Sequence, residues 1–331
     1  MPDDASALHR DAIIIDACAP ILRSADHAPL WHEGGATCAL ATVALHDDDT
    51  LSTVRQIGRL RHALRDHPLA FLTDSVAGIR RAKAEGRLAV VLMFQSTAAL
   101  GGGVEMVETF HRLGVRSMNL AYNQAELAAD GCMEPRGGGL STFGRQVVAE
   151  MNRLGVLLDL SHTSHRATME AMELSTAPVA FTHSNANAVY RHPRNLDDDQ
   201  IRACVATGGV IGLNGHPAFI RAGTAAPSLD DYLAHLDHMV ERAGIDHVGL
   251  GLDFSQAPGQ QMSPERYRTM MAEGVWTPAT LPPPPWTYPV GDARRLGIIS
   301  EALLRRGWAG ADIRKLLGGN FLRLFERVWR D

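Results

Sequence analysis

Residues 140–195 read LSTFGRQVVAEMNRLGVLLDLSHTSHRATMEAMELSTAPVAFTHSNANAVYRHPRN and contain two histidines in matching positions. The apolar run Val156–Leu160 leads into Ser161-His162, and the run Val179–Thr182 leads into His183. A helical pattern of about a dozen residues lies between the two strand-length runs. Strand, helix and strand form a βαβ unit, which places both histidines at the carboxyl ends of neighbouring parallel strands.

Two interpretations of these histidines are open. Barrels and open α/β sheets hold ligands and metals at this edge, and the neutral imidazole is the commonest side-chain metal ligand. Taken alone, either histidine could equally be a hydrogen-bonded cap of its strand. Their shared register favours a common site formed by His162 and His183.

The alternation of apolar runs and amphipathic segments continues along the chain and predicts an α/β fold, the (β/α)8 TIM barrel, over a less favoured open doubly wound sheet. No GxGxxG follows the first strand, so a dinucleotide-binding fold has no local support. We expect one barrel domain over residues 1–331, with an irregular inserted loop at about 255–291 and helices at the C-terminus. The predicted strands are Ile13–Asp16, Cys38–Ala44, Ala89–Phe94, Ser117–Leu120, Val156–Leu160, Val179–Thr182, Gly209–Leu213 and His247–Leu252.

Composition limits the classes of partner. The formal net charge is −5, which gives no electrostatic support for binding nucleic acid or an anionic membrane. The four cysteines are widely spaced and favour a reduced compartment over a disulfide framework. The N-terminus has acidic residues where a signal peptide needs basic ones, and no stretch approaches the roughly 20 apolar residues of a membrane span. These features predict a cytoplasmic protein that acts on a small molecule.

Polar residues follow most of the predicted strands and should meet at one mouth of the barrel. Asp253, which directly follows the last strand, is a metal ligand, a general base or a loop cap. Two histidines with a carboxylate suit zinc or a similar divalent ion, and Asp253 would accept the proton of a water that attacks an amide or ester. The other members of this set are Asp16, Gln95, Tyr122 with Asn123, and Asn214 with His216.

Four blocks resemble the membrane (renal) dipeptidase family of zinc metallopeptidases, most closely its soluble bacterial members. The likeness extends from about residue 11 to residue 329. The order and spacing of the blocks match as well. These blocks are GLSTFGRQVVAEMNRLGVLLDLSHTS, APVAFTHSNA, HPRNLDDDQIRA and HVGLGLDF.

The resemblance implies a barrel of the metal-dependent hydrolase superfamily, often a homodimer, that cleaves dipeptides at a binuclear zinc site. By position it implies that His162 and His183 bind the second metal and that Asp253 serves the first metal and proton transfer. It further implies that Arg194 binds the substrate carboxylate. Tyr122 stands where the mammalian enzymes have a substrate-contacting histidine, and its neighbour Asn123 is taken with it as a substrate contact.

Three family ligands are replaced. The expected Asp-Gly-His-x-Asp reads Asp16-Ala17-Cys18-Ala19-Pro20, and the bridging glutamate is Gln95. A binuclear site is therefore not expected, because the charge that holds two cations together is lost. We expect about one metal per chain, held by His162, His183 and Asp253, with Gln95 and Cys18 as further candidate ligands. A small buried residue that only fills space is the alternative for Cys18.

These observations favour a dipeptidase-like metallo-amidohydrolase, acting on a dipeptide or similar small amide that bears a carboxylate. Two alternatives remain open: another small-metabolite enzyme on the same barrel, and a non-catalytic ligand-binding descendant.

Overall fold

Eight parallel strands close into a barrel. A ninth, short strand pairs with one of them but is not part of the closed ring. The computed structural model describes residues 4–223 and 226–330. Around the ring the strands follow the order β2, β1, β9, β8, β7, β6, β5 and β4, and pairing of β4 with β2 closes it. The strands are β1 Ile15–Ala19, β2 Cys38–Ala44, β3 Ala70–Leu72, β4 Leu88–Phe94, β5 Val115–Asn119, β6 Leu157–Asp159, β7 Ala180–Phe181, β8 Val210–Asn214 and β9 Val248–Gly251.

Helices lie between most of the strands and follow the last one. Short 3-10 turns join several of them, and a π-turn at Lys315–Gly319 joins the last two helices. The helices are α1 Ala5–Asp11, α2 Ala28–Glu33, α3 Thr50–Leu64, α4 Val76–Glu85, α5 Met106–Arg112, α6 Thr142–Leu154, α7 His165–Leu174, α8 Asp198–Ala206, α9 Leu229–Ala243, α10 Pro264–Ala272, α11 Gly297–Arg305, α12 Gly310–Arg314 and α13 Asn320–Val328. This confirms the predicted (β/α)8 barrel.

Each of the eight predicted strands is present, with ends that differ by a few residues. The strand prediction missed β3. The inserted loop expected at about 255–291 contains α10. This helix starts at Ser263, whose side chain accepts from the backbone N–H of Arg266, with Pro264 in the first turn.

The amino end of the barrel is sealed by the C-terminal helix. Phe321 and Phe325 of α13 pack with inward-facing residues of the strands, such as Leu40 and Val91. Gly249 on β9 makes room for this helix, because a Cβ there would lie 2.5 Å from the Phe321 ring. The open end is therefore the carboxyl end of the strands, where the predicted site residues stand. Among the helices of residues 4–223 and 226–330, none has both the length and the apolar character that crossing a bilayer requires.

Candidate active site

The two histidines of the opening segment meet above β6 and β7. These strands pair in parallel, and Nε2 of His162 lies 2.9 Å from Nε2 of His183. Both imidazoles are buried. The structure thus brings together the pair that the shared register predicted.

The Nδ1 atom of each imidazole ring is hydrogen-bonded to a side-chain oxygen. Nδ1 of His162 lies 2.8 Å from Oδ1 of Asn123. The Thr182 hydroxyl donates to Oδ2 of Asp159 at 2.5 Å, so its oxygen accepts from Nδ1 of His183 at 2.7 Å. This assignment puts the ring protons on the Nδ1 atoms and leaves an Nε2 lone pair on each ring.

The facing Nε2 atoms, 2.9 Å apart, lie a few tenths of an ångström closer than two nitrogen ligands on one zinc ion. Tetrahedral zinc, with its nitrogen ligands at about 2.0–2.1 Å, sets two imidazole nitrogens roughly 3.3 Å apart. Burial, and then the Arg194 guanidinium, hold the pKa of His162 and of His183 well below the usual range. Both rings are therefore neutral at physiological pH, which is the form that binds a metal.

Asp253 and Cys18 lie beside the histidine pair, and we call His162, His183, Asp253 and Cys18 the cluster. One donor atom from each of Cys18, His183 and Asp253 lies within 4.8 Å of the other two. The Cys18 thiol donates to Oδ1 of Asp253 across 3.7 Å, and Nδ2 of Asn214 donates to Oδ2 of the same carboxylate at 3.3 Å. Burial raises the pKa of Asp253 to about 7, against the lowering effect of Arg194. A carboxyl with this pKa can take up and release a proton near neutral pH.

Gln95 also points into the cluster, with its amide nitrogen facing sulfur. Its Nε2 donates to Sγ of Cys18 at 3.1 Å and to Oγ1 of Thr42 at 2.9 Å. In this orientation the nitrogen, which cannot ligate a metal, faces Cys18. The geometry fits the hydrogen-bonding role better than the ligand role that the sequence left open for Gln95.

The first strand offers no second carboxylate for a metal. Oδ2 of Asp16 accepts from the Trp31 indole, and its Oδ1 accepts from the backbone N–H of Leu252, both at 2.8 Å. Pro20, which stands at the position of the family aspartate, begins a 3-10 turn. These residues fit one metal at the cluster and do not fit a pair.

Arg194 lies beside the cluster with its guanidinium buried. The side chain is 2% exposed, and Nη2 donates to the carbonyl oxygen of His183 at 3.0 Å. Its Cζ stands 5.4 Å from the centre of the Phe219 ring. Within residues 4–223 and 226–330, no carboxylate forms an ion pair with it. A buried cation without an acidic partner fits an anionic group of a ligand.

Tyr122 and Asn123 have different surroundings. The Tyr122 ring stacks on His162, with centroids 4.1 Å apart, and on His46 with its other face, at 4.9 Å. Tyr122 lines the cavity above the cluster. Asn123 is fully buried, and its Oδ1 lies 2.8 Å from Nδ1 of His162, so it can hold that ring, while its contact with substrate stays a prediction.

Both His162 and Asp253 have a backbone conformation that is rare outside glycine. Their φ angles are 67° and 56°. Left-handed backbone at ordinary residues has an energetic cost and concentrates at functional sites. Here it occurs at two members of the cluster, immediately after their strands.

A cavity of about 420 Å³ lies between the cluster and the inserted segment 255–291. His162, Asp253 and Gln95 belong to its wall, and the residues from the insertion are mostly apolar. Phe219 stacks on Trp276 at 5.7 Å, and His216 contacts Trp286 at 5.0 Å. The sequence predictions included His216 but not Phe219, Trp276 or Trp286. Two tryptophans within the proline-rich insertion were the signal that could have identified them.

Comparison with known proteins identifies the family. The sequence model of the membrane dipeptidase family (peptidase family M19) matches residues 31–275. The chain belongs to this family. Of its relatives, an uncharacterized dipeptidase of Schizosaccharomyces pombe, C965.12, is 35% identical over 190 residues, which are 56% of this chain and 45% of that protein. Dipeptidase tcpJ of Claviceps purpurea is 29% identical over 291 residues, 86% of this chain and 62% of that one. This M19 chain thus spans about half of the length of these relatives.

Solved structures of the family share the architecture along almost the whole chain. A structure described as an amidohydrolase from Pseudomonas aeruginosa is 28% identical, with a TM-score of 0.88, and the match covers 98% of this chain and 99% of that one. A structure described as a dipeptidase of family M19 is 25% identical, with a TM-score of 0.80 and coverage of 96% and 99%.

Proposed function

We propose that this member of the membrane dipeptidase family is a metal-dependent hydrolase of a small amide that bears a carboxylate, such as a dipeptide. The observation that carries the proposal is the convergence of His183, Asp253 and Cys18, with His162 in contact with His183, beside a buried Arg194 that has no ion-paired carboxylate among the described residues. The dipeptidase names of the relatives support the same reaction class.

One divalent ion fits the donor set, and zinc suits its mixture of nitrogen, oxygen and sulfur donors. His162 and His183 would hold it through Nε2, and Asp253 and Cys18 would complete the set. Gln95 is not needed as a ligand. When bound, the ion supplies Lewis acidity toward the amide carbonyl and the attacking water.

The chain's own groups account for the remaining requirements of hydrolysis. The Asp253 carboxylate accepts one proton from the attacking water. The resulting carboxyl group then gives a proton to the leaving nitrogen. Arg194 pairs with the substrate carboxylate and fixes the distance from that group to the scissile bond. Tyr122 holds the His162 ring by stacking, while Trp276 and Trp286 exclude bulk water from the cavity.

Several finer predictions are kept as part of the proposal. They are zinc as the metal, one ion per chain, a homodimer and a cytoplasmic location. The family, the donor set and the charge pattern support them.

Metal content and turnover test the proposal together. The zinc-equilibrated protein should contain about one ion per chain by elemental mass spectrometry and should hydrolyse members of a panel of dipeptides and other small amides. His162→Ala/His183→Ala should lose both properties. Asp253→Asn should lose turnover by a factor of about 10³ or more, since proton transfer and a ligand are removed together. His62→Ala, an exposed change on α3, is the matched control.

The outcomes separate the alternatives. Two ions per chain would contradict the mononuclear assignment and leave hydrolysis intact. Undiminished turnover in Asp253→Asn would contradict the catalytic assignment. Ligand binding without metal or turnover would favour the non-catalytic descendant.

A further inference from the structure

The described wall of the cavity contains more basic than acidic side chains, and this affects which substrate it suits. Arg23 and Arg266 lie in the cavity wall. The buried Arg194 lines a smaller neighbouring cavity that also contacts His162, and its Cζ lies 5.4 Å from the centre of the Phe219 ring of the wall. Among the described residues of the wall, Asp253 is the one acidic side chain. The wall therefore has a surplus of positive charge before any metal is bound.

Nearby acidic residues offer the wall no free carboxylate. Asp48 forms an ion pair with Arg23 at 3.1 Å, so each of the two groups neutralises the other. Glu126 is engaged beneath the wall, accepting from the Ser96 hydroxyl at 2.6 Å and from the backbone N–H of Tyr122 at 2.7 Å. Asp253 itself belongs to the donor cluster. No described carboxylate of the wall is left to receive an ammonium group.

The neutral polar groups of the wall are poor substitutes for a carboxylate. Gln95, whose Nε2 donates to Cys18 and Thr42, offers only its neutral amide oxygen as an acceptor, and the Ser255 hydroxyl lies 2.9 Å from the Tyr288 hydroxyl. A hydroxyl or amide oxygen can accept a hydrogen bond without neutralising the charge. A free dipeptide would thus place its ammonium in a wall that has no free carboxylate to pair with it among the described residues, which is costly in a partly desolvated cavity.

The rest of the wall is built for an apolar group. It includes Phe219, Met262, Met270, Trp276, Leu281 and Trp286. Four of these pack together in one apolar cluster, and the two methionines pack against it. Met and aromatic side chains adapt well to a flexible hydrocarbon chain. An acyl chain fits this surface without requiring a charged partner.

We propose that the substrate is an N-acylated amino acid, with the acyl chain against the insertion and the carboxylate at Arg194, in place of a dipeptide with a free amino terminus. This narrows the proposed amide hydrolase function and rests on it. In the reaction, water and the amide give a carboxylate and an amino acid. The C–N bond breaks, the water oxygen stays on the acyl carbon, and the nitrogen leaves as the ammonium group after taking up both protons of the water.

A matched pair of substrates isolates the charge. N-hexanoyl-alanine and norleucyl-alanine share one carbon skeleton and differ in the α-ammonium group of the second. Each is assayed with the D and the L form of alanine, using the zinc-loaded full chain. We expect kcat/KM for the hexanoyl compound to be higher by about tenfold or more, as for an uncompensated charge in a partly screened site.

Two variants on the same helix test the cause. Arg266→Glu adds an acid to the wall and should shrink the preference several-fold through faster turnover of norleucyl-alanine. Arg268→Glu makes the same charge change on α10 at an exposed residue outside the described wall, and should leave the ratio within about twofold.

The results are separable from the parent proposal. Equal or faster turnover of norleucyl-alanine would overturn the N-acyl inference and leave amide hydrolysis standing. An equal shift of the ratio in both variants would overturn it too, because the effect would then come from net charge. Turnover of neither compound, with no activity on the wider panel, would overturn both proposals.

Discussion

The thiol of Cys18 and the carboxylate of Asp253 are 3.7 Å apart, although 235 residues separate them in the chain. Pairing of β1 with β9 at Asp16 and Leu250 produces this contact. The family places a histidine where Cys18 stands, so a sulfur donor here faces the carboxylate that the family uses for a metal. The Gln95 amide N–H, 3.1 Å from Sγ, would stabilise a thiolate at that position.

Replacing Cys18 by serine tests whether sulfur binds the metal. Burial, and then Asp253, raise the pKa of this thiol well above its usual range, and a coordinated cation would oppose both effects. We expect the cobalt-substituted protein to show a thiolate-to-metal charge-transfer band in the near ultraviolet, and Cys18→Ser to lose it. Cys204→Ser, at a buried cysteine of α8, should keep the band. A wild-type cobalt spectrum without the band would leave Cys18 as a space-filling residue.

Asn214 is expected to act by positioning Asp253. Its Nδ2 donates to Oδ2 of Asp253 and to the carbonyl oxygen of His183, both at 3.3 Å. Asn214→Ala removes both contacts, and loss of a partner that orients a ligand typically costs about 10–100-fold in activity or metal affinity. We expect kcat to fall with little change in KM, and the metal dissociation constant to rise.

The control for Asn214 is the neighbouring amide Asn185. Its Nδ2 donates to the carbonyl oxygens of Asn214 and Phe219, so it supports the loop without contacting Asp253. Asn185→Ala should lower stability with a smaller effect on kcat. Equal losses of kcat in the two variants would show that loop stability, and not the orientation of Asp253, is what Asn214 provides.

The strands were predictable because each of the eight barrel strands carries a short apolar, β-branched run. Helix α6 has clear end signals in the sequence, because the Ser141 side chain caps its first turn and Gly155 ends it with left-handed backbone. The three-residue β3 was missed because so short a run has no period to detect. It lies outside the ring, so the barrel was derived without it.

The site was predictable in part for the same reason. His162, His183 and Asp253 each follow a strand directly, so strand register alone carries them to one mouth. The contact of Cys18 with Asp253 and the aromatic wall depend on barrel closure and on the path of the insertion. Neither leaves a local pattern in the sequence, and both required coordinates.

A buried histidine outside the site predicts how stability depends on pH. His235 on α9 is fully buried, with Nδ1 accepting from the backbone N–H of Ala186 and Nε2 near the carbonyl oxygen of Ile220. Burial lowers the pKa of His235 to about 4, against a raising effect of the Ile220 hydrogen bond. The unfolded chain therefore takes up this proton first as pH falls. The contribution of a neutral His235 is complete above about pH 6.5 and is lost progressively toward pH 4.

The measurement is urea unfolding at pH 7.5 and pH 4.5 in a metal chelator, for wild type and His235→Gln. The quantity compared is the free energy of unfolding of wild type minus that of the variant at the same pH. We expect this difference to be smaller by roughly 2–3 kcal/mol at pH 4.5 than at pH 7.5. His62→Gln, on the exposed face of α3, should track wild type at both values. A difference for His235→Gln that does not change with pH would contradict the assignment.

The seal at the amino end of the barrel predicts a coupling between Gly249 and Phe321. A Cβ on Gly249 would lie 2.5 Å from Cε2 and 2.6 Å from Cδ2 of the Phe321 ring. Gly249→Ala should cost about 1–3 kcal/mol in the free energy of unfolding through overpacking. Phe321→Leu frees that space at the cost of buried contacts. The double variant should therefore be more stable than the sum of the single losses predicts, by about 1 kcal/mol.

Gly58→Ala, on the exposed face of α3 with nothing within 4 Å of the new methyl group, should stabilise by about 0.5–1 kcal/mol. If the losses from Gly249→Ala and Phe321→Leu simply add in the double variant, α13 shifts away from β9 at little cost and does not seal the barrel rigidly.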